Sequence, residues 1–212
     1  MGKADFFDKA AAAPWSEHAY LPEERERIHR VLHLAGIERG GQVLEPGCGT
    51  GRLTELLARS VGPEGRVVAT EISGTMLRRA RTRLGKTRQV EFLFGPLEGL
   101  PLAEGSFDHV LCHQVLPHFD DRAVTLRILA RCLRRGGRFV VSHLRPSAWI
   151  NDIHRKADAA VANDQLPELA ELRTLLHRNG LGIETFQDRT VTGYLLVARK
   201  KEAPGDASSP GA

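Results

Sequence analysis

The chain has 212 residues, 42% hydrophobic and 26% charged, close to the composition of ordinary soluble globular proteins, so neither a disordered chain nor a membrane protein is favoured. That length suits one well-buried core and is short for two domains, and no apolar run approaches the ~18 residues that span a bilayer. The net charge of +4 comes from arginine-rich stretches such as 77–88 and 131–138, which contain no aromatic residue and read as solvated helix faces rather than a nucleic-acid surface.

The N-terminus lacks the long apolar segment of a secretory signal, so a cytoplasmic protein is expected, with a short helix somewhere in 3–20. Residues 21–37 read as an amphipathic helix entered at Pro22 and closed near Gly36. From 42 onward, short apolar runs alternate with amphipathic segments. Strands are predicted at 42–46, 66–72, 89–95, 107–113, 137–144, 181–189 and 191–200, and helices at 52–60, 75–84, 121–134 and 167–179. Helices separate the first five strands and make them parallel, whereas the last two are nearly adjacent and pair as a hairpin. The expected fold is a Rossmann-like α/β three-layer sandwich, with a mostly parallel seven-stranded sheet and one antiparallel strand near the edge. Residues 1–201 form a single domain. Segment 146–165 exceeds a minimal crossover and reads as a substrate lid, and the small, polar tail 202–212 is expected to be disordered and without function.

The stretch "VLEPGCGTGRL" (43–53) places a glycine-rich turn at the carboxyl end of the first parallel strand, the edge where open α/β sheets bind ligands. Glycines at 47, 49 and 51 permit positive φ and remove Cβ atoms where a ligand presses on the backbone. A dinucleotide loop needs GxGxxG, but Arg52 stands where the third glycine belongs, so the pattern is GxGxG preceded by Glu45.

In these residues the chain resembles the class I S-adenosylmethionine-dependent methyltransferases, and among them the small-molecule group related to the ubiquinone and menaquinone biosynthesis enzymes. The resemblance runs from about residue 40 to 144 and weakly to 199. It implies that Glu45, Gly47, Cys48, Gly49 and Gly51 hold the methionine half of the cofactor, with Glu45 receiving its ammonium directly or through water. It further implies that Glu71, 20 residues after Gly51, accepts from both ribose hydroxyls, a task suited to a carboxylate with two acceptor oxygens and no donor. Ile72 and Met76 in "ISGTML" then line the adenine. In "GPLEGLPL" (95–102), Pro96 stands where the family has an aspartate, which leaves adenine to the Leu97 N–H, with Glu98 as a substitute acceptor. Stretches 106–116 and 129–142 match the motifs of the fourth and fifth strands. The implied function is methyl transfer by in-line displacement from S-adenosylmethionine to a small-molecule acceptor, under an N-terminal lid of residues 1–40. In that lid Trp15 and Tyr20 either wall the site or pack the lid. The methylated atom (O, N, S or C) is left open, as is the oligomeric state.

Nine histidines are unevenly placed. His113 and His143 end the fourth and fifth strands on the cofactor's edge, and His113 is grouped with the cofactor residues. His118 and His154 join them if 146–165 folds back over the site. Three readings stand: ordinary hydrogen-bonded residues; a general base or orienting pair, with His118 and His143 foremost and His154 next; or metal ligands drawn from His113, His118, His143 and His154, although no HExxH spacing occurs. The rival functions are an S-adenosylmethionine- or metal-binding protein built on those histidines and a nucleotide-dependent oxidoreductase. Asn163 and Asp164 stand where one of them can cap a helix entered at Pro167. Arg145 is either a substrate contact or solvated, and Cys48 and Cys112 read as small packed residues, reduced like Cys132.

Overall fold

The computed structural model describes residues 2–202; Met1 and 203–212, which hold nearly all of the tail expected to be disordered, lie outside the described residues. In chain order the elements are α1 (Lys3–Ala10), α2 (Pro14–Glu17), α3 (Pro22–Ala35), β1 (Gln42–Pro46), α4 (Arg52–Val61), β2 (Arg66–Glu71), α5 (Gly74–Leu84), β3 (Val90–Phe94), β4 (Phe107–His113), α6 (Arg122–Cys132), β5 (Leu133–His143), α7 (Ser147–Arg155), α8 (Leu169–Arg178), β6 (Leu181–Arg189) and β7 (Gly193–Lys200). Pro22 opens α3 in its first turn, and Gly36 closes it in the left-handed conformation at φ 70°. The seven strands form one sheet in the order β3-β2-β1-β4-β5-β7-β6. β7 runs antiparallel to both of its neighbours and the other pairings are parallel, as the connection lengths predict.

Successive strand residues point to opposite faces, and both faces are covered. Val43, Val67, Leu111 and Val140 pack toward α3 and α4, while Leu44, Val68, Val110 and Val141 pack with α6 and α8. That two-sided burial explains why the strands read as unbroken apolar runs. Each fully buried leucine or valine contributes roughly 1.5–3 kcal/mol of transfer free energy. The parallel register sets Pro46 against Thr70, Glu71 against Phe94 and His113 against Ser142, so Glu45, Glu71, His113 and His143 gather at one carboxyl edge.

Three local expectations are corrected. α6 stops at Cys132, not 134, because Leu133 already pairs with Phe107 in β5; the register then shifts across the glycine pair to His109 opposite Arg138. A Cβ on Gly137 would meet the Arg134 and Asp108 carbonyls at 2.9 and 3.0 Å, which is why the chain is bare there. Segment 146–165 contains a helix of its own, α7, and α8 begins at Leu169 rather than Pro167. Its N-cap is Glu168, with no side-chain cap, so neither Asn163 nor Asp164 caps it.

Candidate active site

The loop after β1 turns three times through positive φ, at Gly47 (66°), Gly49 (56°) and Gly51 (79°), but the three glycines meet different surroundings. A Cβ on Gly47 would lie 2.3 Å from Val115 Cγ2, and one on Gly51 would lie 3.0–3.1 Å from Ala80 and Leu84 of α5. On Gly49 it would find only the Met76 Sδ at 3.8 Å. Gly47 and Gly51 are therefore also required by packing, and Gly49 alone opens onto free space. Met76 and Cys48 are buried, Ile72 is half-buried, Leu97 is buried in a 3₁₀ turn and Glu98 is exposed.

Glu45 is buried against the sheet, and the Thr54 hydroxyl donates to its Oε2 at 2.7 Å. Burial, reinforced by the nearby Glu71 carboxylate and only partly offset by Thr54, pushes its carboxyl up to about 8. A buried acid in that condition lacks a cation. Glu71 is also held above the usual carboxylate range by burial, against hydrogen bonds from the Ser73, Gly49 and Ile72 N–H groups at 2.8–2.9 Å. A carboxylate offers about four acceptor sites, so Glu71 has room for one further donor, and releasing Gly49 would free a second.

The N-terminal segment roofs this edge. The Asp8 carboxylate accepts from Ser73 Oγ at 2.5 Å and from Thr75 N at 2.9 Å, at the start of α5. Lys3 Nζ reaches the His118 carbonyl (2.8 Å), Asp120 (2.8 Å) and Asp164 (2.9 Å). Thr50 donates to the Ser16 carbonyl. Arg52, the residue that breaks the dinucleotide pattern, donates to the Trp15 carbonyl at 2.5 Å and stacks 3.8 Å over the Tyr20 ring. Tyr20 packs edge-on to His113 at 6.2 Å, whereas Trp15 is largely exposed. Tyr20 thus meets a strand-end histidine of this edge and Trp15 lends only its carbonyl. Of this roof the sequence suggested only its place. Lys3 and Asp8 carry no local signal, because their partners are more than 60 residues away.

The strand-end histidines do come together with His118 and His154. His113 Nδ1 lies 2.8 Å from Ser142 Oγ, and its Nε2 is buried without a partner; burial, aided by Arg52, takes its pKa down to about 3. His143 Nε2 is likewise buried and unpartnered. Burial, then the proximity of His113, His118 and His154, holds this ring well below the ordinary histidine range. His118 Nδ1 is 2.8 Å from Asp164 Oδ2, and the His118 and His154 rings are 4.9 Å apart. Gln114, the residue after His113, sits at φ 56°, a conformation uncommon outside glycine and often found at functional edges. Among the described residues no three His, Cys, Asp or Glu side chains come together as a metal-holding group. Arg145 is exposed, 5.4 Å over the Trp149 ring, and Cys48, Cys112 and Cys132 are buried free thiols. No described helix is long and apolar enough to cross a membrane.

The arrangement fits S-adenosylmethionine. A buried acid without a cation faces the glycine turn, a second acid ends the next strand, and the one glycine of that turn whose Cβ would be uncrowded lies between them.

Comparison with known proteins agrees. A methyltransferase-domain family model matches residues 44–141. The ubiquinone/menaquinone biosynthesis C-methyltransferase UbiE of Hahella chejuensis is 35% identical over 153 residues, covering 68% of this chain and 61% of the relative. The same-named protein of Klebsiella pneumoniae is also 35% identical, covering 68% and 60%. The chain thus spans about three-fifths of the length of the curated relatives it matches. In fold it is similar to an S-adenosylmethionine-dependent methyltransferase from Aquifex aeolicus (TM-score 0.68, 17% identity, 93% of this chain and 97% of that one). It is also similar to the magnesium protoporphyrin IX methyltransferase of Synechocystis with bound S-adenosylhomocysteine (TM-score 0.65, 20% identity, 92% and 95%). On its loop, its strand-end acids and these relatives, the chain belongs to the class I S-adenosylmethionine-dependent methyltransferases.

Proposed function

We propose that this protein transfers a methyl group from S-adenosylmethionine to a small-molecule acceptor. The observation that carries the reading is the cation-less buried carboxyl of Glu45 beside the Gly49 turn, in line with Glu71. When bound, the cofactor supplies a methyl already activated on a sulfonium, so the chain's task is to bind, exclude water and align the acceptor. In this reading Glu45 takes the ammonium and Gly47, Cys48, Gly49 and Gly51 form the floor under the methionine half. Glu71 takes the ribose hydroxyls, and Ile72, Met76, Leu97 and Glu98 surround the adenine. Residues 1–201 work as one domain, with α1 to α3 and segment 146–165 as lids that meet over the acceptor, and His113, His118, His143 and His154 face it.

A small acceptor is supported by the quinone-pathway names of the sequence relatives. Quinols therefore head the compounds to test, followed by phenols, thiols and amines. Calorimetric titration with S-adenosylhomocysteine and with NAD, followed by a labelled-methyl screen of those acceptors, tests the reading. Tight binding of S-adenosylhomocysteine and none of NAD is expected, and binding of NAD alone would overturn it.

A further inference from the structure

Asp164 serves no helix, yet it is buried and engaged on every side. Its Oδ2 lies 2.8 Å from His118 Nδ1, its Oδ1 takes Lys3 Nζ at 2.9 Å, its carbonyl accepts from His154 Nδ1, and its N–H reaches the Val161 carbonyl at 2.9 Å. Burial opposes its ionisation, but the hydrogen bonds from His118 and Lys3 prevail and hold the carboxyl below its ordinary range. An ionised carboxylate and a peptide carbonyl only accept, so Nδ1 carries the hydrogen in both rings, and each neutral ring keeps its lone pair on Nε2. One residue thereby fixes the tautomers of two imidazoles 4.9 Å apart. The charged and titratable groups that face His118 are Asp164, Lys3 of α1, His154 of α7, His143 of β5 and Glu71 at the end of β2, with the Phe7 ring edge-on at 5.0 Å. His118 is thus within electrostatic reach of the acid assigned to the cofactor ribose.

We propose that His118 is the proton acceptor for the methyl acceptor's nucleophile, that Asp164 is its positioning residue, and that the substrate is a small molecule whose nucleophile carries an ionisable O–H or S–H. A thioether or tertiary amine, which needs no base, is the class this arrangement does not serve. The O–H or S–H bond breaks with its electron pair staying on the acceptor atom, and the proton joins His118 Nε2. The resulting imidazolium stays paired with Asp164 until water takes the proton. The carboxylate orients the ring and stabilises its charge without itself taking the proton. This proposal rests on the methyltransferase reading above and adds the chemistry of its acceptor.

The test uses the full chain saturated with S-adenosylhomocysteine and 4-nitrophenol as probe, whose yellow ionised form is read by absorbance at mildly acidic pH. The wild-type complex is expected to hold several-fold more ionised probe than free solution does. His118→Gln should lose that excess, Asp164→Asn should cut it by about tenfold, Asp164→Glu should restore part of it, and His177→Gln on the exposed side of α8 should match wild type. Nitrogen-15 spectra of the wild-type complex, which need no variant, should place the His118 hydrogen on Nδ1. If S-adenosylhomocysteine binds but the wild type ionises no probe, or the Gln and Asn variants ionise it as fully as wild type does, or the hydrogen sits on Nε2, the proposal falls and the methyltransferase reading stands. If S-adenosylhomocysteine does not bind, both fall. Loss of probe ionisation on adding zinc, reversed by chelator, with zinc bound tightly by wild type and not by His118→Gln, would overturn the base in favour of a metal site.

Discussion

Three glycines two residues apart have different physical roles, and this makes the loop testable residue by residue. At Gly51 an alanine would need left-handed backbone and would also drive its methyl to 3.0 Å from the Ala80 Cβ and 3.1 Å from the Ala80 Cα. The conformational cost of ~1–2 kcal/mol and an overpacking cost of ~1–3 kcal/mol predict a loss of about 2–5 kcal/mol, or on the order of 10 °C in Tm. Gly49→Ala carries only the conformational cost of ~1–2 kcal/mol, because its Cβ meets nothing nearer than the Met76 Sδ at 3.8 Å. It should fold, yet weaken S-adenosylhomocysteine by at least about tenfold, since the methyl occupies the space left for ligand and strains the turn whose N–H Glu71 holds. Thermal melts and calorimetry on the two variants separate the roles. Equal affinity in Gly49→Ala and wild type would remove Gly49 from the site.

At the scale of elements, α1 contributes no buried residue to the core, yet it spans the site through Lys3 at one end and Asp8 near the other. Polar links backed only by the half-buried Phe6 and Phe7 give a low local opening free energy, so α1 should open while the sheet stays closed. In hydrogen exchange the amides of α1 are expected to exchange at least about 100-fold faster than those of β1 and β4, and to slow when S-adenosylhomocysteine is added. Protection of α1 equal to that of the sheet and unmoved by ligand would mean that it is no lid. These same elements mark where the sequence was legible. The strands and α3 to α6 were readable because each repeats an apolar period over a full face, and Glu45, Glu71 and the glycines because their spacing sits on one strand–turn–helix unit. α7 has nine residues and Ile150 as its sole buried side chain, too little periodicity to stand out. Of the roof only its place could be read, and none of its contacts: Lys3 finds Asp164, and Arg52 finds Trp15 and Tyr20, only after the sheet has brought distant segments to one edge.

Taken whole, the molecule buries acids that resist losing protons and histidines that resist gaining them, and the balance sets its response to pH. The folded pKa of Glu45 is raised from 4.5 to about 8, so the folded state holds a proton that the unfolded state has lost; stability is full below pH 4.5 and falls as pH rises toward 8. Glu71 is shifted in the same direction, also by burial. His109, His113 and His143 are depressed by burial, the first two to about 4 and about 3, so their contribution is full above pH 6.5 and is lost as pH falls below it. His154 is depressed by burial as well, so below pH 6.5 four histidines oppose two carboxyls, and stability should rise with pH. Above it the histidines no longer change, and the raised carboxyls, Glu45 until about pH 8 and Glu71 in the same direction, lower stability. The cofactor-free protein should therefore melt highest near pH 6.5, which a series of thermal melts from pH 5 to 8.5 will test. Glu45→Gln has no proton to lose and should flatten the decline between pH 6.5 and 8 while weakening S-adenosylhomocysteine. In the wild type the ligand's ammonium should ionise Glu45 on binding, so the complex gains more in Tm at pH 8 than at pH 5.5, and calorimetry at pH 7 in buffers of different ionisation enthalpy should register proton release that the Gln variant lacks. A decline above pH 6.5 that persists undiminished in Glu45→Gln would assign the buried proton elsewhere and leave the ammonium without its partner.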